Sequence, residues 1–226
     1  MVSTGHPWKE SIKTEIIDLK NPENSCPQGP SYPIQVKVAT GGLVQQNVPL
    51  ICGGMTDVSL KFRQECFSIT DNKMTNIVNM TTARYGSSSV VQNRDLVVFG
   101  GRNRSRNYFD SIERVSIATK SSKIIGKMPF TFVFGCVLSY DQDKLIAISG
   151  DQNGDWSSAT WTSSFSNLKM WEKGPSLIQK RYDFGCAIFR HLKMAIVSGG
   201  SYGGRLSSTE LIQINENKVV AGKKYI

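Results

Sequence analysis

The chain has 226 residues, of which 39% are hydrophobic and 20% charged, a composition typical of a globular protein and unlike that of a disordered one. The formal net charge is +9, but the 27 lysines and arginines are scattered and form no basic stripe interleaved with aromatics, so we expect no nucleic-acid partner. No apolar run approaches the roughly 20 residues that a membrane-spanning helix needs, so we expect no membrane partner.

The N-terminal residues 1–34 predict part of a β-sheet. Residues 1–13 are polar and hold no apolar segment, so we expect no signal peptide here. Residues 14–19 repeat the pattern of residues 209–214 near the C-terminus. We therefore expect a strand at residues 14–19 that is equivalent to the strand at 209–214.

Four apolar runs along the chain end in glycine, at residues 49–54, 96–101, 145–150 and 195–200. Each run reads as a short buried strand followed by a turn. The last glycines lie at positions 54, 101, 150 and 200, so the steps are 47, 49 and 50 residues. Such a period indicates a repeat architecture. The glycines that define the repeat are Gly53, Gly54, Gly100, Gly101, Gly150, Gly199 and Gly200.

Two further markers follow the same period. Gly86, Gly135 and Gly185 each open an apolar stretch 15 residues before the last glycine of their repeat. Glutamates recur downstream of the glycines, at Glu65, Glu113 and Glu210. Each period therefore predicts four short strands, a to d, in an antiparallel sheet, and no stretch shows sustained helical periodicity.

A glycine pair after an apolar strand, followed by a glutamate strand and an aromatic in strand d, resembles the kelch motif, and the resemblance covers nearly the whole chain. Strand c carries isoleucine where the family has tyrosine, and only Trp171 lies where the family has tryptophan. The resemblance implies an all-β fold, a kelch-type β-propeller of four-stranded antiparallel blades, with four full blades and an N-terminal partial blade.

We expect one propeller domain spanning residues 1–226. Its predicted parts are a partial blade at 1–34 and full blades at 35–80, 81–130, 131–178 and 179–226. A propeller normally avoids open sheet edges by closing its ring, and closure here would need an a–b hairpin after residue 226. We therefore expect a fragment, or a truncated gene product. The alternative is a ring closed irregularly by residues 1–33.

Antiparallel strands place the b–c and d–a connections on one face, where a rigid scaffold holds its binding loops. The b–c connections are the long ones, predicted at residues 55–64, 102–110, 151–160 and 201–208. Several basic residues fall on this face and suggest a basic mouth that grips an acidic peptide, the alternative being solvated surface cations. The candidate partner-binding residues are Arg102, Arg104, Arg106, Lys180, Arg181 and Arg205.

The chain has five cysteines and no Cys-x-x-Cys pair. Cys52 and Cys66 lie at neighbouring strand ends, which places them within reach of a disulfide, although two buried free thiols fit equally well. Cys136 and Cys186 share one position in successive repeats, so we expect them in the core without a bridge. Cys26 has no evident partner. The sequence does not determine the cellular compartment of the protein, although it slightly favours secretion over the cytoplasm.

Two glycosylation sequons begin at Asn79 and Asn103. Both fall on the face that carries the arginines. Sugars at these positions would cover the predicted basic mouth, so the glycosylated and the basic-mouth interpretations compete.

Residues that could perform chemistry are sparse. The two histidines are His6, in the N-terminal tail, and His191, in a turn on the opposite face, so we predict no catalytic site and no enzyme. Residues 151–155 imitate the start of a calcium loop, but Trp156 and Thr162 stand where that loop needs glycine and an acid. We therefore predict no cofactor and no metal.

The resemblance to kelch proteins implies a non-enzymatic protein-interaction module. One alternative is the substrate-recognition part of a ubiquitin-ligase adaptor. A less favoured one is a relative of galactose-oxidase-like copper enzymes, whose site needs a cluster of histidines and tyrosines that this chain lacks.

Overall fold

The computed structural model describes residues 2–3, 14–15, 20–21, 27–45, 48–56, 61–103, 105, 107–215 and 218–225. Its architecture is a β-propeller of four antiparallel sheets, or blades, which confirms the predicted fold class. A fifth, two-stranded sheet pairs β1 (Val2–Ser3) with β2 (Thr14–Glu15).

Each blade is built from consecutive strands. Blade 1 contains β3 (Thr40–Val44), β4 (Val48–Cys52), β5 (Glu65–Thr70) and β6 (Lys73–Asn79). Blade 2 contains β7 (Ser88–Gln92), β8 (Asp95–Phe99), β9 (Ser111–Ser116) and β10 (Ser121–Lys127). Blade 3 contains β11 (Phe132–Val133), β12 (Cys136–Ser139), β13 (Lys144–Gln152), β14 (Asp155–Ser164) and β15 (Asn167–Lys173). Blade 4 contains β16 (Gly185–Phe189), β17 (Met194–Ser198), β18 (Thr209–Asn215) and β19 (Lys218–Tyr225), with a single 3-10 turn (Arg190–Leu192) between β16 and β17.

One strand of each blade adjoins its counterpart in the next blade, in the order β3, β7, β12 and β16, and a backbone ladder crosses from blade to blade just before these strands. The N–H of Gly86 donates to the carbonyl of Val38 at 3.3 Å, Phe134 to Gly86 at 2.8 Å, and Asp183 to Phe134 at 3.1 Å. All four residues have positive φ, between 52° and 67°. Only one of them is glycine, so the ladder holds three side-chain-bearing residues in a conformation that they rarely adopt.

Apolar side chains fill the space between successive blades. Leu50 of blade 1 packs with Leu96 of blade 2, and Phe99 of blade 2 packs with Leu145 of blade 3. Ile148 of blade 3 packs in the same way with residues of blade 4. Because paired strands turn alternate residues to opposite faces, each blade buries one set of side chains against each neighbour.

The N-terminal sheet reproduces part of a blade. Ser3 pairs with Thr14 as Ser198 pairs with Thr209, and Val2 pairs with Glu15 as Val197 pairs with Glu210. Thr14 also repeats the contacts of Thr160, because its hydroxyl donates to the carbonyl of Pro30 as that of Thr160 donates to the carbonyl of Pro175, both at 2.7 Å. The sequence pattern predicted only a strand c here, whereas residues 2–3 lie in the position of a strand b.

Blade 3 departs from the prediction of a long loop at residues 151–160. Strands β13 and β14 instead continue to a tight turn at Asn153 and Gly154, so that Trp156 pairs with Asp151 and Ser157 with Gly150. β11 extends the sheet by pairing with Gln152 and Asp151. Polar turn residues suggested a loop, but Asn-Gly between two strands is also a preferred hairpin turn.

The glycines that define the repeat have positive φ, and Ser149, which replaces one of them, also does, at 53°. The need for glycine is clearest at Gly100, where φ is +62° and a Cβ would collide with the carbonyl oxygen of Phe132 in the next blade. The glycine pair therefore permits both the turn after strand b and the close approach of the following blade.

Candidate functional site

Two buried ion pairs lie beneath the loops. Arg84 donates to Glu113 at 2.8 Å, and Arg181 donates to Glu210 at 2.7 Å, with all four side chains 0% exposed. The same arginines also donate to the carbonyls of Gly100 and Gly199, respectively. Each pair therefore ties the d–a connection to strand c of the blade that follows it.

Arg181 consequently does not lie where a partner could reach it. The prediction that it lines a basic mouth is wrong in this respect, because its guanidinium is enclosed by Glu210, Ser208 and the Gly199 carbonyl. A buried guanidinium is held by its acceptors, since leaving it unpaired would be costly. Arg181 braces the loops and does not face a partner.

Glu65 does not occupy the same position as Glu113 and Glu210, although the sequence spacing aligned them. The N–H of Gly53 donates to the carbonyl of Glu65, whereas those of Gly100 and Gly199 donate to Ser111 and Ser208, two residues before their glutamates. Phe67 therefore stands at the glutamate position in blade 1. Glu65 pairs with Arg63 at 2.5 Å near the surface, where both side chains are a little over 20% exposed.

An aromatic groove lies on the loop face, defined here as the side of the propeller that carries the b–c and d–a connections. The rings of Trp156 and Tyr182 stack with their centroids 3.9 Å apart and their planes 20° from parallel. Beside them lies a groove of about 330 Å³. Its wall includes Gln152, Asp155, Trp156, Trp161, Lys173 and Lys180.

Lys180 closes one side of this groove. Its ammonium nitrogen lies 3.4 Å from a carboxylate oxygen of Asp155 and 5.8 Å from the centre of the Tyr202 ring. Trp161 is fixed by its indole N–H, which donates to Gln152 at 3.2 Å, and by Phe130, whose ring centre is 4.9 Å away. The extended hairpin of blade 3 thus places the fixed ring of Trp161 in the same groove as Lys180, whose ammonium group is carried on a long aliphatic side chain.

Arg102 lies in an aromatic cluster nearer the first strands. Its guanidinium carbon is 4.9 Å from the ring centre of Tyr85, 5.4 Å from that of Phe134 and 5.8 Å from that of Tyr108. Its charge also acts on two acids. Burial raises the pKa of Asp151, and desolvation raises that of Asp183, while in both cases Arg102 pulls the pKa down. The surroundings of Arg102 are therefore aromatic and acidic, not purely basic.

The other predicted mouth residues have different positions. Arg205 is exposed in the connection between β17 and β18, where it pairs through its backbone with Ser201. Arg104 and Arg106 lie outside the described residues. Of the six predicted partner-binding residues, only Arg102, Lys180 and Arg205 are thus both described and accessible on the loop face, and the first two have acidic neighbours.

Four cysteines form two disulfides. Cys52 joins Cys66 across paired strands of blade 1, with their Cα atoms 4.1 Å apart. Cys136 joins Cys186, with Cα atoms 6.6 Å apart, and so links β12 of blade 3 to β16 of blade 4. The expectation that this second pair is unbridged core is therefore corrected: equivalent positions in adjacent blades face each other at the blade interface. Cys26 lies outside the described residues.

The two sequons differ in exposure. Asn79 is exposed at the end of β6, and its side-chain oxygen accepts a hydrogen bond from Asn76 at 3.0 Å. Asn103 is half-buried, and its side-chain oxygen accepts from the backbone N–H groups of Ser105 and Asn107. Whether either carries a sugar stays a prediction.

The described residues contain no group of three or more histidine, cysteine, aspartate or glutamate side chains placed to hold a metal ion. His191 lies exposed in the 3-10 turn on the face opposite the loops, and His6 lies outside the described residues. Within the described ranges, no helix is long and apolar enough to cross a membrane.

The four antiparallel sheets, their interleaved cores and the glycine pairs define a β-propeller with sequence-repeated blades. The Kelch motif family matches residues 83–129, which contain all four strands of blade 2. This match and the four blades together support a kelch-repeat β-propeller, as the sequence predicted.

Comparison with known structures supports the same fold. The solved structure titled "Structure of YjhT" superposes with a TM-score of 0.68 at 13% sequence identity, covering 92% of this chain and 90% of that chain. This likeness concerns the fold alone. No curated protein matches the chain.

Proposed function

We propose that this chain is a protein-interaction module that binds its partner on the loop face. Kelch propellers serve generally as interaction scaffolds, and a rigid β framework that carries binding residues on connecting segments suits this role. Tryptophan, tyrosine and arginine are the side chains that most often dominate binding energy at protein interfaces. On this face the described residues Trp156, Tyr182 and Arg102 supply all three types.

The observation that carries the proposal is the Trp156–Tyr182 stack beside the groove of about 330 Å³. A stacked pair offers a rigid apolar platform that loses little side-chain entropy on binding. Lys173 and Lys180 line the same groove, and Asp155 is the one carboxylate among its lining residues. We infer that the groove takes an extended peptide segment, with an apolar side chain on Trp156 and an acidic one near the lysines.

The proposed binding groove has fewer basic residues than the basic mouth that the sequence predicted. Arg181 cannot contribute, because it is buried. Arg102 contributes through its aromatic neighbours as much as through its charge. Arg205 is exposed at the edge and would contact a partner that extends beyond the groove. Acidic preference in the partner therefore rests mainly on Lys173, Lys180 and Arg205.

The experiment is selection of a displayed random-peptide library against the full chain, followed by affinity measurement of the enriched peptides. We expect enriched sequences that combine an aromatic or aliphatic residue with aspartate or glutamate. Trp156→Ala should weaken their binding at least about tenfold, as for a central interface residue. Met170→Ala is the matched control, because Met170 is 63% exposed on the outer strand of the same blade.

The outcome decides between the groove and other surfaces. Equal affinity of the wild-type chain and Trp156→Ala would contradict the groove as the binding site. Equal loss in Met170→Ala and Trp156→Ala would show a general effect on blade 3 and would also contradict it. Lys180→Ala should reduce the affinity for the acidic peptides. It should leave nearly unchanged the affinity for the same peptides with asparagine or glutamine in place of aspartate or glutamate.

A further inference from the structure

A second cavity lies on the face opposite the loops, within blade 2. It measures about 250 Å³ and is lined by residues of β9, of β10 and of the turn between them, and by Asp95 at the start of β8. Its wall contains two basic residues, three hydroxyl groups and one acid: Arg114, Lys123, Ser116, Thr119, Ser121 and Asp95. None of these residues belongs to the groove of the proposed function.

The two basic residues are direct cross-strand partners. Arg114 of β9 lies opposite Lys123 of β10 in the register of the antiparallel pair. Like charges directly opposite each other destabilise a sheet, unless something negative lies between them. Arg114 is half-buried, so its charge is also less well screened by water than that of an exposed arginine.

The chain does not supply the missing negative charge at contact distance. Among the described residues, no hydrogen bond or ion pair engages the side chain of Arg114 or Lys123, and the Arg114 Nε is buried without an acceptor. Asp95 lies in the cavity wall, but its carboxylate forms no ion pair within 4.0 Å of either cation. The hydroxyls of Thr119 and Ser121 hydrogen-bond to each other at 2.7 Å, which leaves one O–H group of the pair to donate to a ligand.

The arrangement is specific to blade 2. Arg114 pairs with Val97, and the equivalent residues of strand c in blades 1, 3 and 4 pair with Leu50, Ile146 and Ile196. Those equivalents are Ser68, Thr162 and Leu211. The blade therefore does not need an arginine at this position, and the cation is not a requirement of the repeat.

We propose that this cavity, the blade 2 pocket, binds a phosphate-like oxyanion. Arginine presents a planar fork that matches two oxygens of a tetrahedral anion, lysine adds a point charge, and Ser116 together with one hydroxyl of the Thr119–Ser121 pair can donate to the remaining oxygens. An anion seated between Arg114 and Lys123 converts their mutual repulsion into two attractive contacts. Asp95 limits the affinity, because it adds a negative charge to the wall of the same cavity.

The test is titration of the full chain with inorganic phosphate at constant ionic strength, followed by calorimetry and by the thermal unfolding midpoint. Phosphate should raise the unfolding midpoint of the wild-type chain, because a ligand that binds only the folded state stabilises it. Arg114→Gln and Lys123→Gln should each weaken binding at least about tenfold. Asp95→Asn should strengthen it, since it removes the one opposing charge.

Lys127→Gln is the matched control, because Lys127 lies on the same strand β10 with an exposed side chain outside the pocket. It should bind phosphate as the wild-type chain does. Equal weakening by Lys127→Gln and Lys123→Gln would overturn the proposal, as would unchanged binding in Arg114→Gln. Lys123 is exposed, so Lys123→Gln keeps the test valid if Arg114→Gln does not fold.

A second arm separates a free anion from a phosphoryl group carried by another molecule. Titration with N-acetyl-phosphoserine amide and with its unphosphorylated form tests the latter. Tighter binding of the phosphoserine compound than of phosphate assigns the pocket to a phosphorylated side chain, and the reverse assigns it to the free anion. If the chain binds neither inorganic phosphate, nor the phosphoserine compound, nor sulfate, the proposal is overturned. Trp156→Ala should leave every result unchanged, so this test is independent of the groove.

Discussion

Arg84 and Glu113 form an ion pair of 2.8 Å in which neither side chain is exposed to solvent. Arg181 and Glu210 form the same pair two blades later, at blade 4, and each residue lies 97 positions further along the chain. Both glutamates also accept from a backbone N–H of the preceding d–a connection, that of Thr81 at 2.5 Å and that of Ile178 at 2.6 Å. The pairs therefore fix the segments from which the loop face is built.

Replacing Glu113 with alanine should lower the free energy of unfolding by about 3–5 kcal/mol, because it leaves Arg84 buried and unpaired. Urea denaturation followed by circular dichroism measures this loss. Glu65→Ala is the control, since the Arg63–Glu65 pair lies near the surface and should contribute no more than about 1 kcal/mol. A loss in Glu113→Ala no greater than that in Glu65→Ala would contradict the assignment.

Replacing both members of the second pair should cost much less than the two single changes together. The double variant Arg181→Met with Glu210→Leu leaves no uncompensated charge, and buried ion pairs are often replaceable by apolar residues of similar volume. Blade 3 already follows this pattern: Gly101 donates to the carbonyl of Phe132 as Gly150 donates to that of Arg181, and Phe132 is fully buried. A double-mutant cycle should give a coupling energy of about 2–3 kcal/mol, and additive losses would argue against a paired charge.

The Cys136–Cys186 disulfide should stabilise the interface between blades 3 and 4 by about 2–4 kcal/mol, because it closes a loop of 50 residues in the unfolded chain. Cys186→Ser should lower the unfolding midpoint, and a reducing agent should lower that of the wild-type chain at least as far. Peptide mapping without reduction should recover residues 136 and 186 in one linked fragment. Alkylation of Cys136 in the folded, unreduced chain would contradict the bond.

The stability contribution of Asp151 should depend on pH in a defined direction. Burial raises its pKa in the folded chain, so the folded state binds more protons than the unfolded state between the two pKa values, and stability falls as pH rises through that window. Asp151→Asn keeps the oxygen that accepts from the Gly154 N–H at 2.8 Å but does not titrate. Relative to the wild-type chain, the variant should gain stability from acidic to neutral pH.

Thermal unfolding from pH 3 to pH 7 measures this difference. The gain should vanish below about pH 3.9, where the carboxyl is protonated in both states. Asp143→Asn should show the opposite trend, because hydrogen bonds from Ser166 lower the pKa of Asp143, so its contribution is present at neutral pH and lost as pH falls. Parallel profiles for the two variants would contradict both assignments.

Much of the fold was accessible from the sequence because the blade is a local unit. The glycine pairs, such as Gly100 and Gly101, need positive φ at the end of each buried strand, and that need is visible as a repeated pattern. The hairpin of blade 3 was missed for a related reason. Asn153 and Gly154 are compatible with either a loop or a tight turn, and the pairing of β13 with β14 decides between them.

The candidate site was less accessible. The groove forms where Trp156 of one blade meets Tyr182 from the connection to the next, and no spacing in the sequence indicates that stack. Cys136 and Cys186 likewise lie 50 residues apart and meet only because β12 of blade 3 adjoins β16 of blade 4. Sequence reasoning identified both cysteines as equivalent positions but had no measure of the distance between blades.

The sequence by itself determined the repeat, the strand order within a blade and the propeller class, because hydrophobic runs and turn glycines act within one period of the chain. Only the tertiary structure decided which charged side chains are buried and which are exposed. Lys180 and Arg181 are neighbours, yet one reaches the loop face and the other is sealed against Glu210. Burial of a charge depends on how neighbouring blades pack. It also depends on a register shift of two residues, which puts Phe67 and not Glu65 at the position of Glu113 and Glu210. The sequence of a single repeat indicates neither of these.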